Sequence, residues 1–185
     1  MFPKVSGTCT ASNTTSLGTQ TLNFVTYQED VLPNEWIPSW NANALDAGAL
    51  AVKMYGWYHV LNPKWPQYNA AVDDTTDSQC YVPNSTQQST TTAVEATSNN
   101  VIVNSSGDIF ETSYLAGGTE TGSSCSGTAS QIPSTCINYI PNPSYVMRQN
   151  GTEWYAQNNG WSVNTMVSNY YSGNGGYVTG EWQPG

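Results

Sequence analysis

Positive charge is what this sequence has least of. Four Lys and Arg stand against 13 Asp and Glu in 185 residues, giving a net charge of −9, and only 9% of the chain is charged. An average soluble domain carries roughly 25% charged residues. Four cations cannot follow a phosphate backbone, which excludes nucleic acid as a partner. They also give an anionic lipid surface little to attract. No apolar run reaches the ~18 residues of a membrane span. Histidine is nearly absent: His59 is the single one. A Ser-His-Asp triad or a His-based metal site therefore lacks support, and the four cysteines contain no CxxC pair. Neither a metal nor a cofactor is expected.

What is present points to a folded, polar protein with few charged side chains. Aromatics make up 12% of the chain, with seven Trp and twelve Tyr, and Ser, Thr and Asn about a third. Disordered chains show the reverse balance, rich in charge and poor in aromatics. A chain of this length suggests one domain. Cys9, Cys80, Cys125 and Cys136 are irregularly spaced, which favours disulfides over zinc. Three pairings are open; Cys125–Cys136 with Cys9–Cys80 is favoured. Disulfides imply an oxidising, extracellular setting. Residues 1–10 have no apolar segment, so no signal peptide is expected there. Four N-x-S/T sequons begin at Asn13, Asn84, Asn104 and Asn150.

The expected fold class is α+β: strands and hairpins packed around a buried central helix at about 41–62, with two short C-terminal helices. Residues 1–20 read as an arm, 21–172 as the domain and 173–185 as a Gly-rich tail. Thr21–Tyr27 alternates as a strand does, and Glu29–Trp40 reads as a Pro-punctuated loop. Asn41–Asn62 is rich in Ala and Leu, apolar nearly all round, and stops before Pro63, as a buried helix would. Val101–Val103 and Ile109–Tyr114 flank a turn and read as a hairpin. Residues 116–136 read as a loop. Gly151–Asn158 and Ser162–Tyr171 read as helices split by Asn158-Asn159-Gly160.

Few residues can carry chemistry. His59 lies on the apolar stripe of the central helix and reads as a packed core histidine. Asp73-Asp74-Thr-Thr-Asp77 reads as a capped, solvated turn. Glu35 differs from the other acids: it stands in Val31-Leu-Pro-Asn-Glu35-Trp-Ile-Pro-Ser-Trp40, wedged among Trp and Pro. Partial desolvation raises a carboxyl's pKa and makes it a usable proton donor near neutrality.

The run VLPNEWIPSWNANALDAGALAVKMYGWYHV resembles the stage II sporulation protein D (SpoIID) family, which includes the amidase-enhancer LytB domains. The matching positions are Val31, Glu35, Trp36, Trp40, Ala44, Leu45, Ala47, Ala49, Ala51, Lys53 and Tyr55. Downstream, Asp74, Thr76, Gln79 and Tyr81 resemble the family's D-x-T-x-x-Q-x-Y segment. TTAVEAT (91–97) is similar to a family helix, and 153–171 to its closing helix pair. The family's G-H-G-x-G-M-S-Q motif is represented by Asn142–Gln149, where Met147 and Gln149 match and Pro143 stands at the His position. Some members bind zinc through Cys and His near the D-x-T segment; here Cys80 has no histidine near it in sequence.

The resemblance implies a secreted lytic transglycosylase acting on peptidoglycan glycan strands or another polysaccharide, with Glu35 as catalytic acid and base. Trp36, Trp40, Tyr55, Gln79 and Gln149 would line the substrate groove. The alternative is a non-catalytic extracellular protein on the same fold: a glycan-binding module, or a subunit of a homo-oligomer, fibre or surface layer.

Overall fold

A computed structural model describes residues 2–3, 9, 18–117, 140 and 143–180. Among these residues the fold is α+β, with five helices and six short strands. Helix α1 (Phe24–Glu35) leads into α2 (Ala42–Leu61), and α3 (Gln88–Ala96) follows. The strands are β1 (Phe2–Pro3), β2 (Thr19–Gln20), β3 (Val101–Val103), β4 (Tyr114–Leu115), β5 (Met147–Arg148) and β6 (Tyr177–Thr179). Helices α4 (Gln149–Asn159) and α5 (Val163–Tyr170) lie between β5 and β6.

The central helix is where the sequence places it. Asn41 caps α2 by accepting from the Asn43 amide, and Asn62 ends it ahead of Pro63. Its buried residues run from Ala44 to His59 on every side. It packs against α1, α3, α4, α5 and β3. The cover is thus mainly helical, rather than strands and hairpins, because each surrounding helix can lay an apolar stripe on α2.

Residues 21–40 depart from expectation. The strand over Thr21–Tyr27 and the first half of the loop over Glu29–Trp40 give way to α1, while residues 36–40 turn without helix or strand as expected. Asn23 starts it, its side chain accepting from the Val25 and Thr26 amides. Tyr27 and Val31, four residues apart, are both fully buried, the periodicity of a helix face. Pro33 falls in the last turns, where it supplies no N–H to the Glu29 carbonyl, and the helix ends two residues later.

The expected hairpin is also corrected. Asn104 and Gly107 do turn the chain, with Asn104 N–H donating to Asp108 O at 2.8 Å. The two arms then part. β3 pairs antiparallel with β6, and β4 pairs parallel with β5, Tyr114 opposite Met147. The three apolar residues of β3 are all buried, and its one strand partner among the described residues, β6, comes from far along the chain. That partner, Tyr177–Thr179, lies within the segment read as a tail.

The closing helices form as expected. Gly160 ends α4 in the left-handed conformation at φ 63, and Ser162 caps α5. Asn150 is buried, so its sequon is closed to glycosylation. His59 is buried, with Nδ1 3.1 Å from Asn62 O, and burial holds its pKa down. Asp73 caps its own turn, accepting from the Thr75 amide and hydroxyl. That turn is not solvated throughout: Asp73, Asp74 and Thr75 are buried, and only Thr76 and Asp77 face water. Cys9 and Cys80 form a disulfide; Cys125, Cys136 and most of the 116–136 loop lie outside the described residues. No helix among the described residues is long and apolar enough to cross a membrane.

Close packing at Gly151 gives a specific expectation. A Cβ there would stand 2.0 Å from the Tyr170 hydroxyl, which is buried without a hydrogen-bond partner among the described residues. Gly151→Ala is expected to destabilise by about 1–3 kcal/mol. Adding Tyr170→Phe removes the obstructing oxygen and should recover most of the loss in urea melts, because the hydroxyl contributes no bond of its own.

Candidate active site

Glu35 closes α1, and its side chain meets three distant parts of the chain. The Cys80 N–H donates to Glu35 Oε1 at 2.7 Å. Gln149, the first residue of α4, donates from Nε2 to Oε2 at 3.0 Å and to the Glu35 backbone oxygen at 2.7 Å. The Tyr114 hydroxyl supplies a third hydrogen bond to the carboxyl. The residue keeps partial solvent access.

Desolvation by the surrounding protein pushes the Glu35 pKa up from 4.5 to about 6, and the three hydrogen bonds oppose the rise. Its place at a helix C-terminus, where the backbone dipole is negative, disfavours the carboxylate further. Among the described residues no second carboxylate acts on it. Such a group is part protonated near neutrality, so it can give a proton and take one back at the same pH.

A chain of polar side chains runs inward from this carboxyl. Gln79, fully buried, donates from Nε2 to the Tyr114 hydroxyl and to Val52 O, both at 3.1 Å. Its Oε1 accepts from the Tyr27 hydroxyl. Burial holds both phenols well above their usual pKa, so Tyr114 accepts from Gln79 while its own proton serves Glu35. Tyr114→Phe removes that donor. The Glu35 pKa is then expected to rise above about 6, carrying the alkaline limb of any Glu35-dependent reaction upward in a pH–rate profile.

The expected groove residues behave differently from one another. Gln149 reaches Glu35 directly. Trp36 is fully buried; its Nε1–H donates to Thr152 Oγ1 at 3.0 Å, and its ring meets Tyr114 edge-on at 4.9 Å. It fixes the end of α1 and offers no open face to a sugar. Gln79 likewise holds Tyr114 from within. Tyr55 is buried against Tyr114 and His59, with Lys64 Nζ on its hydroxyl at 3.0 Å. Trp40 alone of the five keeps appreciable exposure. Sequence patterning marked these residues as aromatic or polar, but the patterns of a stacking surface and of a core layer are the same.

Tyr114 and the Cys80 backbone are the partners that sequence reading missed. Tyr114 stood in an alternating segment with nothing to link it to Glu35, and a backbone N–H has no sequence signature. A zinc site like that of some SpoIID members does not fit here. The Cys80 sulfur is committed to Cys9, and no group of three His, Cys, Asp or Glu able to hold a metal occurs among the described residues.

A family model described as stage II sporulation protein, SpoIID, matches residues 12–104, half of the chain. Glu35 and Cys80 fall inside the match; Tyr114 and Gln149 lie beyond it. An uncharacterized protein of Brachyspira hyodysenteriae is 39% identical over 70 residues, 37% of this chain and 18% of that relative. The match therefore spans less than a fifth of the curated relative's length.

Proposed function

The chain belongs to the stage II sporulation protein (SpoIID) family, and from that membership we propose that it is a lytic transglycosylase of peptidoglycan glycan strands with Glu35 as both acid and base. The family ties the chain to cell-wall work. The observation that supports catalysis is the single half-open carboxyl at pKa about 6, held by three donors.

The chemistry needs no more than that one group. Protonated Glu35 gives its proton to the glycosidic oxygen as the C1–O bond breaks. The carboxylate then takes the proton of the same sugar's 6-hydroxyl while O6 bonds to C1. The product is a 1,6-anhydro sugar; water is not consumed, and Glu35 ends as it began. Ordinary inverting or retaining hydrolysis uses a pair of carboxylates, and Glu35 stands alone among the described residues. The Cys9–Cys80 disulfide suits a protein exported to an oxidising compartment.

Glycan-binding or structural use of the fold without catalysis is the second reading. Pro143 in place of the motif histidine favours it, as does the burial of Trp36, Tyr55 and Gln79. Incubating the protein with purified glycan strands and weighing the products by mass spectrometry separates the two. Anhydro-terminated fragments from wild type and not from Glu35→Gln are the expected result. Strand binding with no fragments would give the role to the second reading.

A further inference from the structure

Cys80 holds two positions at once. Its amide is a donor to Glu35, and its sulfur is bonded to Cys9, 71 residues away in sequence. The backbone at Cys80 is also tightly turned: Tyr81 N–H donates to Gln79 O at 2.8 Å, closing a three-residue turn with Cys80 at its apex. The flanking residues are anchored by side chains, Gln79 through Val52 and Tyr114, and Tyr81 by stacking on Tyr27. At the apex itself the side-chain anchor is the disulfide. Cys80 is 6% exposed, whereas Cys9 is partly open to solvent, so a small thiol can approach the bond from the Cys9 side.

We propose that the Cys9–Cys80 disulfide is a redox-sensitive clamp that positions the Glu35 carboxyl through the Cys80 amide. The clamp deepens the catalytic reading of Glu35 and rests on it for its effect on rate. Closed, it holds the apex of the turn with its N–H on Oε1. Opening takes two electrons and two protons from a dithiol: the Cys9–Cys80 S–S bond breaks, two protein thiols form, and the dithiol is oxidised to its own disulfide. The apex is then free to rotate its amide away from Glu35. The remaining donors are Gln149 and Tyr114, and the titratable groups facing the carboxyl are the neutral phenols of Tyr114 and Tyr27. Losing the Cys80 donor removes one of the influences that keep the Glu35 pKa down, so that pKa rises on reduction.

The test uses the full chain labelled with 13C at glutamate side-chain carboxyls, with the Glu35 signal identified by its loss in Glu35→Gln. Glu35 is titrated in the oxidised protein, after dithiol reduction, and in Cys9→Ser/Cys80→Ser, which keeps the residue-80 amide. Anhydro-product formation is followed on the same samples. In reduced protein and double variant alike, the expected results are a higher Glu35 titration midpoint and a fall in kcat of about tenfold, roughly what one hydrogen bond to a charged group is worth. KM should change little. Cys125→Ser/Cys136→Ser should respond to reductant as wild type does. An unchanged Glu35 midpoint in the folded double variant overturns the clamp. Unfolding of that variant also overturns it, since the bond would then act through stability alone. If oxidised wild type makes no anhydro product, the catalytic reading fails, and the titration still decides whether the disulfide holds the carboxyl.

Discussion

At pH 8 the Glu35→Gln protein is expected to form anhydro product at least about a hundredfold more slowly than wild type and yet to be the more stable of the two. The loss follows from removing the proton donor, a contribution worth ~10²–10⁴ in general acid catalysis. The gain follows from linkage. Glu35 titrates at about 6 in the fold, against an ordinary 4.5, so the folded chain binds this proton more strongly than the unfolded chain. Its stabilising share is complete below pH 4.5 and is lost as pH rises through 6. Above that, the fold must hold an ionised carboxyl in a desolvated place, at a cost of about 2 kcal/mol. Glutamine carries no charge and escapes the cost. Gln149 must turn its amide to meet the substituted side chain, since two NH2 groups would otherwise face each other; this trims the gain without cancelling it. Urea midpoints at pH 8 and pH 4 check the argument. Glu35→Gln should exceed wild type at pH 8, and the difference should close at pH 4. A variant no more stable than wild type at pH 8 would refute the desolvated carboxyl.

Gly48→Ala should have the largest effect on stability. A Cβ at this position would stand 2.5 Å from Cδ2 of Trp36, 2.7 Å from Cε2 and 2.9 Å from Cγ. The obstacle is a rigid indole, fully buried, tied to Thr152 and set edge-on against Tyr114. Overpacking of this kind costs about 1–3 kcal/mol, and an immobile ring puts Gly48→Ala near the upper figure. A chain of this size should then melt about 6–12 °C lower. Activity should fall even below the melting range, because Trp36 follows Glu35 directly and cannot move without the end of α1. Trp36→Phe in the same chain shrinks the ring and is expected to recover part of the melting temperature; thermal melts followed by near-UV circular dichroism would show it.

Much of this arrangement is legible in the sequence. Asn41, the Ala-rich run and Pro63 delimit α2, while Asn158-Asn159-Gly160 and Ser162 delimit the junction of the closing helices. Glu35 is identifiable by its apolar company. The misreading of α1 has a definite cause. Leu22, Phe24 and Thr26 alternate by chance, and the Asn23 cap with Tyr27 and Val31 carries the helical period that decides the fold. The pairing of β3 with β6 joins segments more than 70 residues apart, and short apolar strands carry no label for their partners. The same holds at the site. Residues 80, 114 and 149 converge on Glu35 through tertiary folding, one of them by its backbone alone.

The all-round burial of α2 sets a timetable for the chain as it is made. A helix with no polar side cannot rest half-covered in water. Its N-terminal companion α1 is synthesised just before it, but α4 and α5 are completed only some hundred residues later. Until then the Ala/Leu/Met surface of α2 is open to other unfinished chains, and contacts of such long sequence separation close slowly. A mostly apolar segment with no net charge, waiting on the end of its own chain, is where aggregation should begin. Yields should therefore depend more on expression rate and temperature than on the final stability of the fold.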